Sequence, residues 1–387
     1  MDREFLLIAF YFNIINDNYN RYHKFSINSN FIMSFYEIND IRLPSEFKGV
    51  SFSNYKRSEV KKQIIQNLIA GKVENSNYWC AELICSGHYG ELWDIIISFI
   101  SKHIHSGNPK IFLYIQNRID IFKNIINNKE FISELSARND PNLRKLFAEI
   151  VTIMAISNKK YGIEPVKINK NTEFDMSLIS DKLIADNTDY VKGIFLKKDP
   201  KEIFIALNEF YFNIRSHNFL NLCYWYEWIV EFESICKKKK RPCTLEPRNY
   251  NVLGKFRTNL VWIIWDILFD YIDSLNNQTL LNLLKASLDI FTINFTTASC
   301  KKRRFVVYFA FSLCSDKINL DIPIISNKNT VSTVISNIEV VYKQIKKNEV
   351  SPKTDYLFNN LDKQNAITKS IAQLDIVNSI ANQENNI

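Results

Sequence analysis

The stretch CYWYEWIVEFESICKKKKRPC, residues 223–243, joins an aromatic segment to five consecutive cations. Its Tyr, Trp and Phe side chains, together with Glu227 and Glu231 four residues apart, are typical of one amphipathic helix. A second Trp-rich segment, NLVWIIWDILFDYIDSL at residues 259–275, is apolar except for a narrow stripe of aspartates. We expect these two helices to pack against each other at the centre of a helical domain.

Helix start and stop signals are frequent along the rest of the chain. Only 8 Gly and 9 Pro occur among 387 residues, which argues against a turn-rich β protein. Ser58 is placed to cap a helix that ends at Gly71, and the next helix ends at Gly87. Asp140 and Asp199 each precede a proline, a common helix start. These signals predict a mainly α fold, with which minor β structure is compatible.

The pattern along the chain predicts two helical domains. Residues 161–171 are the weakest-patterned part of the interior, so we expect a boundary near residue 190. Residues 1–190 would form a domain of helical hairpins. Residues 191–348 would form a second helical domain around the two Trp-rich helices, with a basic loop at residues 237–257.

The end of the chain has a different composition. Residues 349–387 are polar and rich in Asn, which predicts a partly disordered tail. Within the tail, residues 364–381 place apolar side chains at helical spacing. This spacing indicates an amphipathic helix that binds a partner protein.

No segment of the sequence predicts a membrane span. The longest apolar runs, FLLIAFYFNII and FVVYFAFSLC, are far shorter than the ~20 residues that cross a bilayer. The start MDRE lacks the cationic region of a signal peptide. The seven cysteines, an odd number, fit buried reduced side chains better than a disulfide framework. We therefore expect a soluble intracellular protein without a membrane partner.

Positive charge is concentrated in one part of the chain. The net charge is +8, and residues 237–257 carry eight cations against the single anion Glu246. A second basic run, KKRR, follows Cys300. Lysine offers phosphate a point charge and arginine a bidentate fork, so both runs are suited to nucleic acid. The predicted nucleic-acid contacts are Lys237, Lys238, Lys239, Lys240, Arg241, Arg248, Lys255, Arg257, Lys301, Lys302, Arg303 and Arg304.

Such contacts predict binding to DNA or RNA without sequence preference and with a steep dependence on salt. Three other interpretations of the basic runs stay open. They are a solvated loop, a nuclear-import signal, and a clamp on acidic side chains of the same domain.

No motif predicts catalysis or a cofactor. The sequence has none of the phosphate-binding, nucleophile-elbow or zinc-protease signatures. Cys236 and Cys243 bracket the basic run and are the minority candidates for a metal site, although their spacing is not that of a zinc knuckle. The carboxylates of the Trp-rich helices lack the Glu-x-x-His pattern of di-metal bundles. A solvated face, or pairing with arginines such as Arg248, explains them more simply.

Residues 61–118 follow the pattern G-K-x-E…Y-W-x-x-E-L-x-x-S-G…N-P and precede the two Trp-rich segments. This combination resembles an uncharacterised protein family of nucleocytoplasmic large DNA viruses, over about residues 55–275. The resemblance implies a viral protein without an established activity. Its location would be the host cytoplasm, in the viral factory, or the nucleus, or else the virion.

Residues 61–118 are also similar to the helical collar of clamp-loader-related ATPases. There, an acidic residue before Tyr-Trp, a small-residue turn and an Asn-Pro pair mark successive antiparallel helices. Glu74, Trp79, Gly87 and Pro109 occupy those places in this chain. Because the ATPase P-loop is missing, the resemblance implies an all-α scaffold that does not hydrolyse ATP.

The sequence thus predicts a non-enzymatic viral factor that binds nucleic acid in viral DNA replication or transcription. The alternative is an internal structural or assembly protein of the virion, whose basic loop docks onto an acidic protein. In both cases the tail would bind other viral proteins. An enzyme with a carboxylate metal site is the third hypothesis.

Overall fold

A computed structural model of the chain describes residues 37–349, apart from residues 129–130, 132, 161, 171, 176–179 and 242. This part of the chain contains thirteen α-helices, and its only β pairing is an isolated antiparallel bridge between Val50 and Lys56. The prediction of a mainly α fold is confirmed. The predicted amphipathic helix at residues 364–381 lies outside the described residues.

The helices occur in two series, separated by a long irregular segment. The first series comprises α1 (Arg57–Ile69), α2 (Val73–Cys85), α3 (Tyr89–Phe99), α4 (Ile111–Asn128), α5 (Glu134–Arg138) and α6 (Pro141–Ile156). The second series comprises α7 (Phe204–Arg215), α8 (Phe219–Lys238), α9 (Val261–Ser274), α10 (Gln278–Thr292), α11 (Ser299–Lys302), α12 (Arg304–Ser315) and α13 (Lys328–Lys346). A π-helical turn, Ile100–Ile104, continues α3.

Several helix ends lie where the sequence predicts them. Gly71 and Gly87 follow α1 and α2 with φ of +68° and +72°, values that a glycine adopts without the steric cost of a side chain. Asp140 caps α6 by accepting hydrogen bonds from the backbone N–H groups of Asn142 and Leu143. The capping aspartate and the following proline together explain why α6 begins there.

Two predicted helix starts are wrong. Helix α1 begins at Arg57, so Ser58 lies inside it and does not cap it. Asp199 does not cap a helix either, because its carboxylate accepts hydrogen bonds from Arg248 and from the backbone N–H of Glu246. For Asp199 the ion pair outweighs the capping interaction. A buried carboxylate without a cation costs several kcal/mol, about three times the ~1 kcal/mol that a missing helix cap costs.

Helix α12 lies at the centre of the fold. Every residue from Val306 to Cys314 is buried, so this helix is covered on all sides. It packs against α3, α7, α8, α9 and α10. Phe309 stacks on Phe112 of α4 with ring centroids 3.8 Å apart. A helix that is apolar around its whole circumference is stable only when neighbouring helices enclose it, and α12 meets that condition.

Helices from both series share one continuous core. The last helix, α13, packs against α2 and α6, and α10 packs against α4. The boundary near residue 190 stays a prediction. In the irregular segment between α6 and α7, Phe174 lies against Trp228 of α8, whose indole N–H donates to the carbonyl of Glu173. None of the described helices is both long and apolar enough to cross a membrane.

Candidate nucleic-acid interface

The basic run begins in the last turn of α8. Two hydrogen bonds close this helix end, from the N–H of Lys240 to the carbonyl of Lys237 (3.1 Å) and from the N–H of Arg241 to the carbonyl of Cys236 (3.0 Å). This is the Schellman arrangement, in which the residue after the cap adopts a left-handed conformation. Lys240 takes that position with φ of +55°, where glycine is usual. The chain therefore turns sharply within the basic run.

Four cations at this turn are exposed: Lys238, Lys239, Lys240 and Arg241. We call them the α8 terminal cations. None of the four forms an ion pair with a carboxylate in the described part of the chain. Lysines here also face the carbonyl end of α8, whose partial negative charge favours cations. Their exposure and the absence of a neutralising carboxylate leave their charge available to an external anion.

Lys255 and Arg257 follow in the same predicted basic segment but differ from each other. Lys255 is exposed, and its ammonium lies 5.0 Å from the centre of the Phe256 ring. Arg257 is half-buried, and its backbone carbonyl accepts a hydrogen bond from the N–H of Arg248 (3.0 Å). Lys255 therefore resembles the α8 terminal cations, whereas the backbone of Arg257 helps to position Arg248.

Three predicted contacts are neutralised by carboxylates on α8 itself. The pairs are Lys237 with Glu233 at 2.9 Å, Lys301 with Glu231 at 2.6 Å, and Arg304 with Glu227 at 3.3 Å. Helix α11 carries Lys301 and lies beside α8, where the Tyr226 hydroxyl donates to the carbonyl of Cys300 (2.8 Å). The carboxylates of α8 are thus partners of basic residues within the chain.

The remaining predicted contacts also have protein partners. Lys302 pairs with Asp94 of α3 at 2.6 Å, and the buried Arg303 donates to the carbonyl of Phe291 at 3.0 Å. Arg248 is 7% exposed and binds the fully buried carboxylate of Asp199. Because their charge is neutralised within the protein, these cations offer less to a phosphate than the α8 terminal cations do. For them the interpretation as a clamp on acidic side chains fits the geometry.

Lys170 also pairs with a carboxylate of α8, although no pattern in the sequence predicts this contact. Its ammonium lies 2.5 Å from the second carboxylate oxygen of Glu231, so Glu231 binds Lys170 and Lys301 at once. Lys170 belongs to the irregular segment before α7, and no local pattern connects it with a glutamate 61 positions later. The only signal in the sequence is the repeated lysine of KINK, residues 167–170.

The three carboxylates of α8 differ in their electrostatic environment. Burial raises the pKa of Glu227 and Glu233 above the ordinary value, although Arg304 and Lys237 respectively oppose this effect. For Glu231 burial acts in the same direction, but hydrogen bonds from Lys170 and Lys301 outweigh it and lower its pKa. Glu231 is therefore the most firmly ionised of the three and neutralises the exposed lysines beside it.

Cys236 and Cys243 are half-buried neighbours on the two sides of the basic turn. Burial raises the pKa of both thiols, that of Cys243 to about 12. The described residues contain no group of three or more His, Cys, Asp or Glu side chains that could hold a metal ion.

Comparisons of the chain with protein-family models, with curated proteins and with solved structures give no match.

Proposed function

We propose that the protein binds nucleic acid through the α8 terminal cations, with Lys255 as an additional contact. The observation that carries this proposal is the separation of the basic residues into two classes. Six of the twelve predicted contacts bind carboxylates or carbonyls inside the protein through their side chains, whereas four consecutive cations at one helix end have no such partner in the described chain. Four adjacent charges without partners form a local positive potential that attracts a polyanion.

The geometry favours contact with the phosphate backbone over recognition of bases. The turn at Lys240 presents exposed lysines at a helix end, and a lysine offers phosphate a point charge without recognising a base. Phosphate contacts position a protein on nucleic acid without reading its sequence. We therefore propose binding to DNA or RNA without sequence preference. On the basis of the resemblance to proteins of large DNA viruses, we propose that this binding serves viral DNA replication or transcription.

The test is a titration of labelled duplex DNA and single-stranded RNA with the full chain at low and moderate salt. The wild-type protein should lose affinity steeply as salt rises. Replacing Lys238, Lys239, Lys240 and Arg241 with Gln should lower the slope of log affinity against log salt by about 3 to 4, because each phosphate contact contributes about 0.9. At low salt we expect the affinity to fall at least about tenfold.

A matched control separates the site from net charge. Lys61, Lys62, Lys72 and Lys285 are exposed and lie on α1, before α2 and on α10. Their replacement with Gln removes the same charge and should leave most of the slope intact. Equal losses in both variants would show that net charge alone drives binding. A wild-type protein that binds neither DNA nor RNA in a salt-sensitive way would refute the proposal and favour docking onto an acidic protein.

A further inference from the structure

The described residues contain seven cysteines in two environments. Cys80, Cys85, Cys223, Cys300 and Cys314 are buried, whereas Cys236 and Cys243 are half-exposed. The two half-exposed cysteines lie on opposite sides of the α8 terminal cations. Neither role assigned above to the basic residues, the clamp or the contact with nucleic acid, uses a thiol.

The turn at the end of α8 brings these two cysteines together. The carbonyl of Cys236 accepts the hydrogen bond from the N–H of Arg241, so the chain folds back over the last helical turn. Two residues later Cys243 packs against the core, close enough to Cys236 for each thiol to affect the pKa of the other. The hydrogen bond from the N–H of Leu245 to the carbonyl of Thr258 (2.9 Å) holds the following chain in place.

We propose that Cys236 and Cys243 form a reversible disulfide that closes a ring around the α8 terminal cations. Their closeness across the helix-end turn and their partial exposure favour this pair over any other pair of described cysteines. The inference stands independently of nucleic-acid binding, because it concerns only the chemistry of the two thiols. The co-reactant is a low-molecular-weight disulfide such as oxidised glutathione.

The step is a double thiol–disulfide exchange. The thiolate of one cysteine attacks a sulfur of oxidised glutathione, the S–S bond breaks, and one glutathione thiolate leaves. The thiolate of the second cysteine then attacks the protein sulfur of the mixed disulfide and releases the second glutathione. The two protons of the protein thiols end on the two glutathione molecules. The protein loses two electrons, and the small disulfide gains them.

The environment of the thiols determines the rate of this exchange. Burial raises the pKa of both thiols, so only a small fraction is thiolate at neutral pH. The attacking species is the thiolate, and its fraction rises with pH. We therefore expect the rate of ring formation to increase about tenfold between pH 7 and pH 8.

The experiment treats the native full chain with oxidised glutathione and then traps the remaining thiols with N-ethylmaleimide after denaturation. Peptide mass spectrometry should find Cys236 linked to Cys243, with the five buried cysteines alkylated. Dithiothreitol should reverse the link. The variant Cys243→Ser should instead keep a glutathione adduct on Cys236, because it lacks the second thiol that displaces glutathione.

Other products would overturn the inference. A wild-type protein that accumulates glutathione on Cys236 without the link would show that Cys243 cannot reach the mixed disulfide. A link from Cys236 to Cys300, or between two chains, would show a different pairing. If Cys236 in the Cys243→Ser variant gains no glutathione, its thiol is not accessible to the small disulfide.

Discussion

The end of α8 and Arg248 belong to one predicted basic segment, yet their charges have opposite environments. The α8 terminal cations are exposed and have no carboxylate partner in the described chain, whereas Arg248 is buried between Asp199 and Asp266 at 2.6 and 2.7 Å. A charge in water costs little without a partner, but a buried charge needs one. A run of cations in a sequence can therefore contain structural and surface charges side by side.

The first helical series contains a cluster similar to that around Arg248. Arg138 is 1% exposed and donates to the backbone carbonyls of Asp40 and Arg42. Arg144 is 2% exposed, its guanidinium lies 4.0 Å from the centre of the Tyr342 ring, and it pairs with Glu339 of α13 at 2.8 Å. Buried arginines thus connect segments distant in the chain, whereas the α8 terminal cations form no ion pair within the described protein.

The largest effect should come from breaking the Arg248 cluster. Arg248→Ala leaves the buried carboxylate of Asp199 without a cation, and we expect the free energy of unfolding to fall by about 3 to 5 kcal/mol. Chemical denaturation followed by circular dichroism measures this change. Lys239→Ala, at the exposed end of α8, should change the same quantity by no more than about 0.5 kcal/mol. Similar values for both variants would remove the distinction between the two regions.

The second largest effect concerns His88, because burial disfavours its protonated form. Burial, with the charges of Arg57 and Arg138, lowers the pKa of His88 from 6.5 to about 4. Between these values the unfolded chain binds a proton that the folded protein does not bind. The free energy of unfolding should therefore fall as the pH decreases from about 6.5 to about 4, by about 1 to 2 kcal/mol after allowance for solvent screening.

The control for this pH effect is His88→Gln, which has no proton to bind in either state. Its unfolding free energy, measured by urea titration at several pH values, should fall less steeply across the same interval than that of the wild type. Identical pH profiles would mean that carboxylates alone produce the dependence.

A smaller effect should follow from releasing the lysines that Glu231 neutralises. Glu231→Gln frees Lys170 and Lys301 beside the basic end of α8, and both lysine side chains are about half exposed. Nucleic-acid affinity at low salt should rise severalfold, and the salt slope should steepen by about 1 to 2. The same titration measures both quantities. An unchanged slope would confine the interface to the α8 terminal cations.

The smallest effect tests the conformation of Lys240. A lysine with positive φ carries a steric cost that glycine avoids, so Lys240→Gly should raise the free energy of unfolding by about 0.5 to 1 kcal/mol. The variant should also lower the salt slope of nucleic-acid binding by about 1. Lys239→Gly is the matched control, because its φ is −78° and glycine offers no advantage there. If both variants lose stability, the turn at Lys240 is not strained.

Local patterns predicted the helices well. The glycines after α1 and α2 and the Asp140-Pro141 start of α6 are determined by the conformations available to one or two residues. The two failures are at Ser58 and Asp199. Helix α1 begins one residue before Ser58, and the Asp199 carboxylate binds the distant Arg248 instead of capping a helix.

The sequence predicts where the candidate site lies in the chain, but not which of its basic residues are neutralised by other side chains. The basic run itself is visible in the sequence, but the partners that neutralise its neighbours lie far away along the chain. Lys301 meets Glu231 across 70 positions, and Lys302 meets Asp94 across 208. Lys170 went unpredicted for the same reason. No spacing rule connects residues so distant, because only the packing of the helices brings them together.

The sequence by itself determined the helical class and the place where positive charge accumulates. Both follow from composition and from periodicity within a few turns of the chain. The tertiary structure alone decided which cations are neutralised, which are buried, and which two cysteines are neighbours. The physical reason is that ion pairing and burial depend on distances in space, and folding sets these distances between segments that share no local pattern.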